Sequence, residues 1–473
     1  MNADARLQHA IDLHRSGRVT EAEALYRTFL QADPGHGEAN HNLGSLLAQK
    51  GDVQQSLPFF QKALQADAAF GQYWISYARA LLSSGHGAEA VTLLQRGKQR
   101  GLSGPVVDGL MSKALIASGR FEEAAALLQG AAAQQPDNAG LHLELGYALT
   151  VVGKFESAIA AYRQALAIKP DLAEAHFRLG SILSENGQVA EGFAHYMRRA
   201  ALVHGTGQRP VPSRPEPEHK RKHDREQRDY LAGGTAAPDA PEVASLFHLA
   251  GGDRLAGRAV NPARASLMQE WESSSPHMII IDDFLTAEAL EALRRYCAGS
   301  TIWRRIYEAG YIGATPEDGF SCPLLAQIAE EILQNYAGIL APHPFHYLGA
   351  FKYDSTLSTG TNTHADNSAV NVNFYLTQDD ANLDPDSGGM DIWDVGVPPG
   401  EDMRRYNGDE AYTRDFLKRS NARMTRIPHR ANRAVIFQSD LFHKTSDCNF
   451  REGYLNKRIN VSLLFGRRGA PTR

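Results

Sequence analysis

LHLELGYALTVVGKFESAIAAYRQALAIKPD, residues 141–171, holds two helix-length apolar segments divided at Gly153 and closed at Pro170. Shifting the chain on itself by 34 residues reproduces this unit along the first two hundred positions. Leu13, Leu47, Leu81, Leu115, Leu149 and Leu183 form one column, and Gly17, Gly51, Gly85, Gly119, Gly153 and Gly187 another. Small residues fill two more: Ala10, Gly44, Ala78, Ser112, Gly146 and Gly180, then Ala22, Ser56, Ala90, Ala124, Ala158 and Gly192. Tyr26, Phe60, Leu94, Leu128, Tyr162 and Tyr196 occupy a fifth. Small side chains let two antiparallel helices approach closely, and the aromatic or Leu side chain plugs the gap to the next helix. The glycine ends the first helix in a conformation that costs other residues more. Pro34, Pro136 and Pro170 stand between units, where no helical N–H is required. One unit cannot bury its own apolar face, so six of them predict a stacked superhelix with a concave groove.

With this period and these columns, residues 1–204 resemble the tetratricopeptide repeat, as an all-α solenoid of six repeats. The resemblance implies that first-helix positions face the groove. That places His41, Ile75, Arg79, Lys113, Ile116, Leu143, Tyr147 and Phe177 there, with Arg79, Lys113, Tyr147 and Phe177 as the candidate partner contacts. The mixture is apolar with some basic character and suits an extended peptide or a partner helix. The Lys/Asn clamp that some relatives use on a terminal carboxylate is absent. The same residues also suit packing against the chain's own C-terminal domain.

Beyond residue 204 the period stops. Residues 205–240 include GTGQRPVPSRPEPEHKRKHDREQRDY, rich in Pro and charge and poor in large apolar residues, which reads as a flexible linker. The basic cluster Lys220-Arg221-Lys222-His223 alternates with Asp224 and Glu226, as a solvated segment does. Residues 241–473 form the C-terminal domain, with 241–276 expected as helical support and a core at 277–468. HMIIIDDFL reads as a buried strand, and Thr286 caps the helix TAEALEALRRYCAG. CPLLAQIAEEILQNYAGIL is a second amphipathic helix. HYLGAFKYD, AVNVNFYLT, GGMDIWD, RAVIFQSD and RINVSLLFG come next, bounded by Gly, Pro, Asn and Asp, as strands of a barrel or jelly roll are.

Within these strands stand His364-Ala365-Asp366, then His443, then Arg458. Two histidines and a carboxylate are the ligand set that holds non-haem Fe(II) on one face and leaves the other positions open. Residues i and i+2 of an extended strand point to one side, so His364 and Asp366 can reach one ion. An H-x-D triplet alone is weak, and its neighbours give it weight. Alternation along RINVS puts Arg458, Asn460 and Ser462 on one face, with Lys457 facing solvent; an inward Arg458 implies an acidic ligand. Asn371, Asn373 and Tyr375 share a face of their own strand.

The ordered blocks of residues 277–468 resemble the Fe(II)/2-oxoglutarate-dependent oxygenases, in the prolyl-4-hydroxylase-like branch. They are FKYDSTLSTGTNTHAD, NFYLT with SGGMDIW, RAVIFQSDLFHKTSD and KRINVSLLFG, after the leading strand and helix. The resemblance implies a double-stranded β-helix and Fe(II) held by His364, Asp366 and His443. It also implies 2-oxoglutarate and O2 as cosubstrates. Arg458, Tyr353 and Tyr375 would contact the cosubstrate, with Asn373 nearer the iron and Ser462 on the same face as Arg458. Asp366 stands where halogenating relatives carry a small residue, which favours hydroxylation. The gap from His443 to Arg458 is longer than usual, CNFREGYL being extra, and this insertion is expected to bulge or to shape the substrate entrance. His346 and His429 read as solvent or packing histidines.

Length and composition set the outer bounds. At 473 residues, two or three domains are expected. A net charge of −5 argues against a mainly nucleic-acid-binding surface. Three widely spaced cysteines, Cys297, Cys322 and Cys448, give neither a disulfide frame nor a zinc site and fit a reducing compartment. No apolar run suits a signal peptide or a membrane span, so the expected location is the cytoplasm. The reading is a hydroxylase acting on a protein or peptide that the repeats recruit. A small-molecule hydroxylase whose repeats mediate assembly stays open, as does a non-catalytic scaffold or metal-bound sensor.

Overall fold

Twelve helices between residues 3 and 204 run in successive pairs, from Ala3–Arg15 and Val19–Ala32 to Ala173–Glu185 and Val189–His204. The structure, a computed structural model, describes residues 3–205, 215–234, 247–358 and 360–468. The six column glycines end the first helix of each pair with φ between 76° and 90°. The residue after each glycine donates its N–H to the column leucine: Arg18 to Leu13, Asp52 to Leu47, His86 to Leu81, Arg120 to Leu115, Lys154 to Leu149 and Gln188 to Leu183. Two sequence columns are thus the two ends of one helix-closing hydrogen bond, which satisfies a carbonyl the helix would otherwise leave open.

The small column and the aromatic column meet in space. A Cβ at Gly146 would stand 2.5 Å from the Tyr162 ring, and one at Gly44 3.1 Å from the Phe60 ring. Tyr26 and Tyr162 are fully buried, as are Ala22, Ala90, Ala124 and Ala158. Gly146→Leu should therefore overpack the fifth helix pair and cost at least about 1–3 kcal/mol. Thermal denaturation of the full chain would read this as a lowered midpoint, and an unchanged midpoint would mean that the contact yields without strain.

The chain divides into two compact units, Met1–Pro170 and Asp171–Arg473. The division falls one repeat earlier than residue 204, because the sixth helix pair shares its core with the C-terminal elements. Val189, Phe193 and Tyr196 lie in one buried cluster with Phe345, Leu325 and Ile328. The Phe193 and Phe345 ring centroids are 5.6 Å apart. Burial of a large apolar side chain contributes about 1.5–3 kcal/mol, so this pair is anchored to the second unit. Glu185 adds polar ties to His346 and Arg467.

The second unit holds two antiparallel sheets. Their strands are β1 (Met278–Ile281), β2 (Arg305–Ile306), β3 (Tyr311–Ala314), β4 (Phe345–Tyr353), β5 (Val370–Tyr375), β6 (Met390–Gly396), β7 (Met424–Ile427), β8 (Ala434–Gln438), β9 (Leu441–Thr445) and β10 (Arg458–Phe465). Seven are ordered β1-β8-β5-β10-β4-β3-β2 and three are ordered β7-β6-β9. In the large sheet Asn460 pairs with both Tyr375 and Phe351, and Ser462 with Asn373 and Gly349. This register puts the polar residues of β5 and β10 on one face. The other face, with Val372, Phe374, Val461 and Leu463, is buried with Leu293, Leu325 and Ile328 of helices Ala287–Gly299 and Pro323–Asn335. The small sheet packs through Met390, Ile392, Ile427 and Leu441 against Val435 and Phe437 of β8. A cavity therefore opens between the sheets, on the polar face.

The flexible-linker reading of 205–240 does not hold for Glu218–Leu231, which is a helix with Lys220, His223 and Gln227 buried. Residues 206–214 and 235–240 lie outside the described residues. The helix buries a polar stripe rather than an apolar one. Lys222 pairs with Asp354 at 2.7 Å, Glu226 pairs with Lys457, and Gln227 Nε2 donates to the Ser300 carbonyl at 2.9 Å. Lys457 is accordingly buried and ion-paired, not solvent-facing. The CNFREGYL insertion contributes to this attachment. Tyr454 packs against His223 and Tyr230, its ring lies 3.6 Å from Lys352 Nζ, and the insertion does not line the cavity. Of the helical support expected at 241–276, only Leu267–Ser273 is helical among the described residues, and 241–246 lie outside them.

Candidate metal centre

β9 and the loop before β5 bring the three candidate ligands together. His364 and His443 form an isolated antiparallel bridge, exchanging N–H to carbonyl bonds of 3.0 and 2.8 Å. The Asp366 N–H donates to the Ser439 carbonyl at 2.9 Å. The triplet thus sits in a loop bridged to β9, rather than in a continuous strand. One ligand atom from each of His364, Asp366 and His443 lies within 4.8 Å of the other two.

The surroundings fix how each ligand is presented. His364 Nδ1 lies 2.8 Å from the Asn362 carbonyl and His443 Nδ1 2.9 Å from the Leu441 carbonyl. A carbonyl can only accept, so Nδ1 carries the proton and Nε2 keeps its lone pair for a metal. Burial alone would push the Asp366 carboxyl up, but the neighbouring His443 and His364 and the hydrogen bond from the Asn371 amide bring it down to about 2. Burial, reinforced by His443, lowers the His364 pKa against the pull of Asp366. An ionised Asp366 and a neutral His364 are the protonation states that a divalent metal requires.

Asn407, which the sequence did not single out, and Asn371, which it placed on an inward strand face, hold this loop. Asn407 Nδ2 donates to the Ala365 carbonyl at 2.8 Å and its Oδ1 accepts the Ala365 N–H at 3.0 Å, clamping the residue between His364 and Asp366. It comes from helix Met403–Gly408, whose start is signalled by Asp402 accepting the Arg404 N–H. Asn371 Nδ2 donates to Asp366 Oδ2 at 2.7 Å, and Ser462 Oγ donates to Asn371 Oδ1 at 3.0 Å. Asn371, not Asn373, is therefore the asparagine bonded to the candidate ligand. Asn373 instead accepts from Asn460 across the strand pair.

The cavity measures about 330 Å³ and is lined by the three ligands together with Tyr353, Asn371, Asn373, Asn460 and Ser462. Arg458 is fully buried beneath it and does not line it. Its Nε donates to the Gly388 carbonyl at 2.6 Å, and its two terminal nitrogens donate to Gly389 O at 3.0 Å and Asn460 Oδ1 at 2.7 Å. Tyr353 and Tyr375 flank the guanidinium at 4.7 and 5.2 Å. Among the described residues no carboxylate pairs with it, so a buried charge is compensated only by neutral dipoles. The buried Tyr375 hydroxyl likewise has no hydrogen-bond partner among them. Burial pushes both the Tyr353 and the Tyr375 phenol up to about 12, with Arg458 opposing, so both keep their protons. A buried cation beside an unused donor fits a ligand anion.

The remaining expected sites separate. His429 is buried, its Nε2 3.1 Å from the Thr377 carbonyl, and burial with Arg458 lowers its pKa to about 4. His346 pairs with Glu185. Among the groove residues, Arg79 and Lys113 are exposed and Tyr147 is half-buried in the first unit. Phe177 belongs to the second unit, where it packs against the core beneath Arg199 at 5.4 Å. It is withdrawn from a groove role because its neighbours are the sixth pair and the domain that pair joins.

Family models described as tetratricopeptide repeat match residues 7–70 and 47–114, and one described as TPR repeat matches 152–187. The chain thus carries tetratricopeptide repeats in its N-terminal part. No curated protein matches it. Similar solved structures include YrrB, a TPR protein with an unusual peptide-binding site, at 14% identity over 37% of this chain and 91% of that one, with a TM-score of 0.32. PilW, a widely conserved type IV pilus biogenesis factor, is 17% identical over 42% of this chain and 92% of its own, with a TM-score of 0.36. Pseudomonas aeruginosa PilF is 17% identical over 43% and 92%, with a TM-score of 0.35. Among the described residues no helix is long and apolar enough to cross a membrane.

Proposed function

We propose that the C-terminal unit is an Fe(II)- and 2-oxoglutarate-dependent hydroxylase of the prolyl-4-hydroxylase-like branch, its two sheets forming a double-stranded β-helix. The observation that carries this reading is the convergence of His364, Asp366 and His443 at one cavity, with each histidine's Nδ1 held by a backbone carbonyl. When bound, Fe(II) and 2-oxoglutarate supply oxidation of a substrate C–H by O2, one oxygen atom entering the substrate and the other succinate, with carbon dioxide released. The chain's own residues prepare that chemistry. His364 and His443 present Nε2, while Asn371, Ser462 and Asn407 hold the Asp366 loop against rotation. Asn373 and Asn460 line the polar floor between the metal ligands and Arg458. Arg458, buried behind the lining residues Tyr353 and Asn460, supplies the positive charge that favours the far carboxylate of the cosubstrate, with Tyr375 beside it.

The repeats are proposed to recruit a protein or peptide substrate, as tetratricopeptide arrays bind protein partners. Joining a binding array to an enzyme raises the effective concentration of a captured substrate, by roughly 100-fold or more. The test is removal of residues 1–170, the first compact unit, which contributes none of the candidate ligands. Conversion of 2-oxoglutarate to succinate without partner should persist, while +16 Da modification of the true partner in a cell lysate should fall at least about tenfold. Equal modification by both forms would transfer the repeats to an assembly role and favour a small-molecule substrate.

A further inference from the structure

The cavity has a wall that the metal and cosubstrate reading uses only at Tyr353. Tyr307, Tyr311 and Tyr353 form a continuous stack, with centroids 4.4 and 4.9 Å apart and planes 11° and 23° from parallel. Phe351 stands edge-on to this stack at 6.0 and 6.2 Å, and Tyr347 lines the cavity beside it. The hairpin of β2 and β3 carries the outer end of the stack. It is held down at Gly310 (φ 84°), where a Cβ would stand 2.1 Å from the Leu357 carbonyl.

The inner end of the stack is already capped by the Arg458 guanidinium, 4.7 Å from the Tyr353 ring, and Tyr311 is covered on both sides, so the ring left for a further cation is Tyr307. Apart from the metal triad, the only charged side chain lining the cavity among the described residues is Glu308, at the hairpin tip beside Tyr307, and no lysine or arginine among them lines it. Glu308 is exposed and makes no ion pair among the described residues. Aromatic faces carry negative quadrupole density, and a carboxylate at their rim adds a full charge. Such a surface attracts cations, planar guanidinium most of all, and repels anions. The candidate metal ligands line the same cavity, so a side chain held on this wall shares the cavity with them.

Resting on the hydroxylase reading, we infer that the substrate presented to this cavity is a peptide carrying a basic side chain, its cationic end seated against Tyr307, the outer end of the Tyr307–Tyr311–Tyr353 stack, beside Glu308. The recognised chemistry is a cation on an alkyl stem, and arginine and lysine are its two sources in a peptide. The alkyl methylenes would then lie toward the metal ligands, which makes an aliphatic C–H of that side chain the group oxidised.

The experiment uses the full chain and five short capped peptides identical except for a central Arg, Lys, Gln, norleucine or Pro. Calorimetric binding to the metal-free protein is the first measurement. The Fe(II)- and 2-oxoglutarate-dependent formation of succinate and of +16 Da peptide is the second. Binding and coupled turnover are expected for Arg or Lys over Gln and norleucine, the two basic arms deciding which cation is preferred. Glu308→Gln should reduce that preference about threefold, and Tyr307→Leu about fivefold. Equal binding of norleucine or Pro peptides, or a preference unmoved by both substitutions, overturns the inference. Succinate formation that no peptide stimulates also overturns it, yet leaves the hydroxylase reading standing. Absence of any 2-oxoglutarate turnover strikes that reading instead, and the calorimetric arm still decides the basic-peptide preference.

Discussion

His364→Ala is expected to abolish succinate production from 2-oxoglutarate and to release the metal, while the fold survives. The substitution removes one of three protein donors, and an open site cannot keep Fe(II) on the remaining two with useful affinity. Loss of a mere supporting contact to a ligand costs about 10–100-fold in metal affinity or activity, so loss of a ligand should exceed that range. His364 makes few other contacts on which folding depends. Its backbone bridge to His443 is main-chain and persists in alanine, and its ring spends one hydrogen bond on the Asn362 carbonyl. Circular dichroism should therefore be unchanged, while Fe(II) or Mn(II) titration by calorimetry or paramagnetic resonance should lose its tight phase. A His364→Ala protein that still converts 2-oxoglutarate at the wild-type rate would place the metal elsewhere.

Arg458→Ala is expected to raise the KM for 2-oxoglutarate at least about thirtyfold, since truncating a buried charged partner costs about 2–5 kcal/mol. The guanidinium has five N–H donors and three are spent on Gly388, Gly389 and Asn460, leaving two unspent behind the cavity wall. Removing it also strips the buried Gly388 carbonyl of its donor and leaves Gly389 with the Ser446 N–H, so the midpoint of unfolding should fall by an amount that reflects about 1–3 kcal/mol for the unpaired carbonyl. The two effects separate in Arg458→Lys. An ammonium restores the charge and part of the affinity, but it cannot bridge both carbonyls and the ligand as a planar fork does. Unchanged 2-oxoglutarate dependence in Arg458→Ala would hand the anion to Tyr353 and Asn460, which line the cavity directly.

The helical repeats are legible in the sequence because their constraints are local and periodic. Each column glycine must take a positive φ, each column leucine must accept the helix-closing bond, and both demands recur every 34 residues. Strand parity is equally readable. Alternation alone places Asn371, Asn373 and Tyr375 on one face and Arg458, Asn460 and Ser462 on another, and the register joins the two faces. The linker reading fails for a related reason. It looks for burial in apolar residues, whereas helix Glu218–Leu231 is held by Lys222 to Asp354, Glu226 to Lys457 and Gln227 to the Ser300 carbonyl, partners far away in the chain.

Relations between residues distant in sequence belong to the folded state. Asn407 clamps Ala365 from 42 positions away, Ser462 reaches Asn371 from 91, and the Gly388 carbonyl caps Arg458 from 70. Nothing in local spacing encodes such pairs, since each needs two elements brought within about 3 Å by the packing of the sheets. The same packing draws the sixth repeat pair into the second unit through Phe193 and Tyr196, although its own sequence is as regular as that of the other five. Backbone period and side-chain alternation are properties of a short stretch of chain, so the repeat, the strands and the residue types facing inward can be read from the order of amino acids alone. Which inward residues touch, and where one unit ends, depends on the complementarity of surfaces that meet only when the chain has folded.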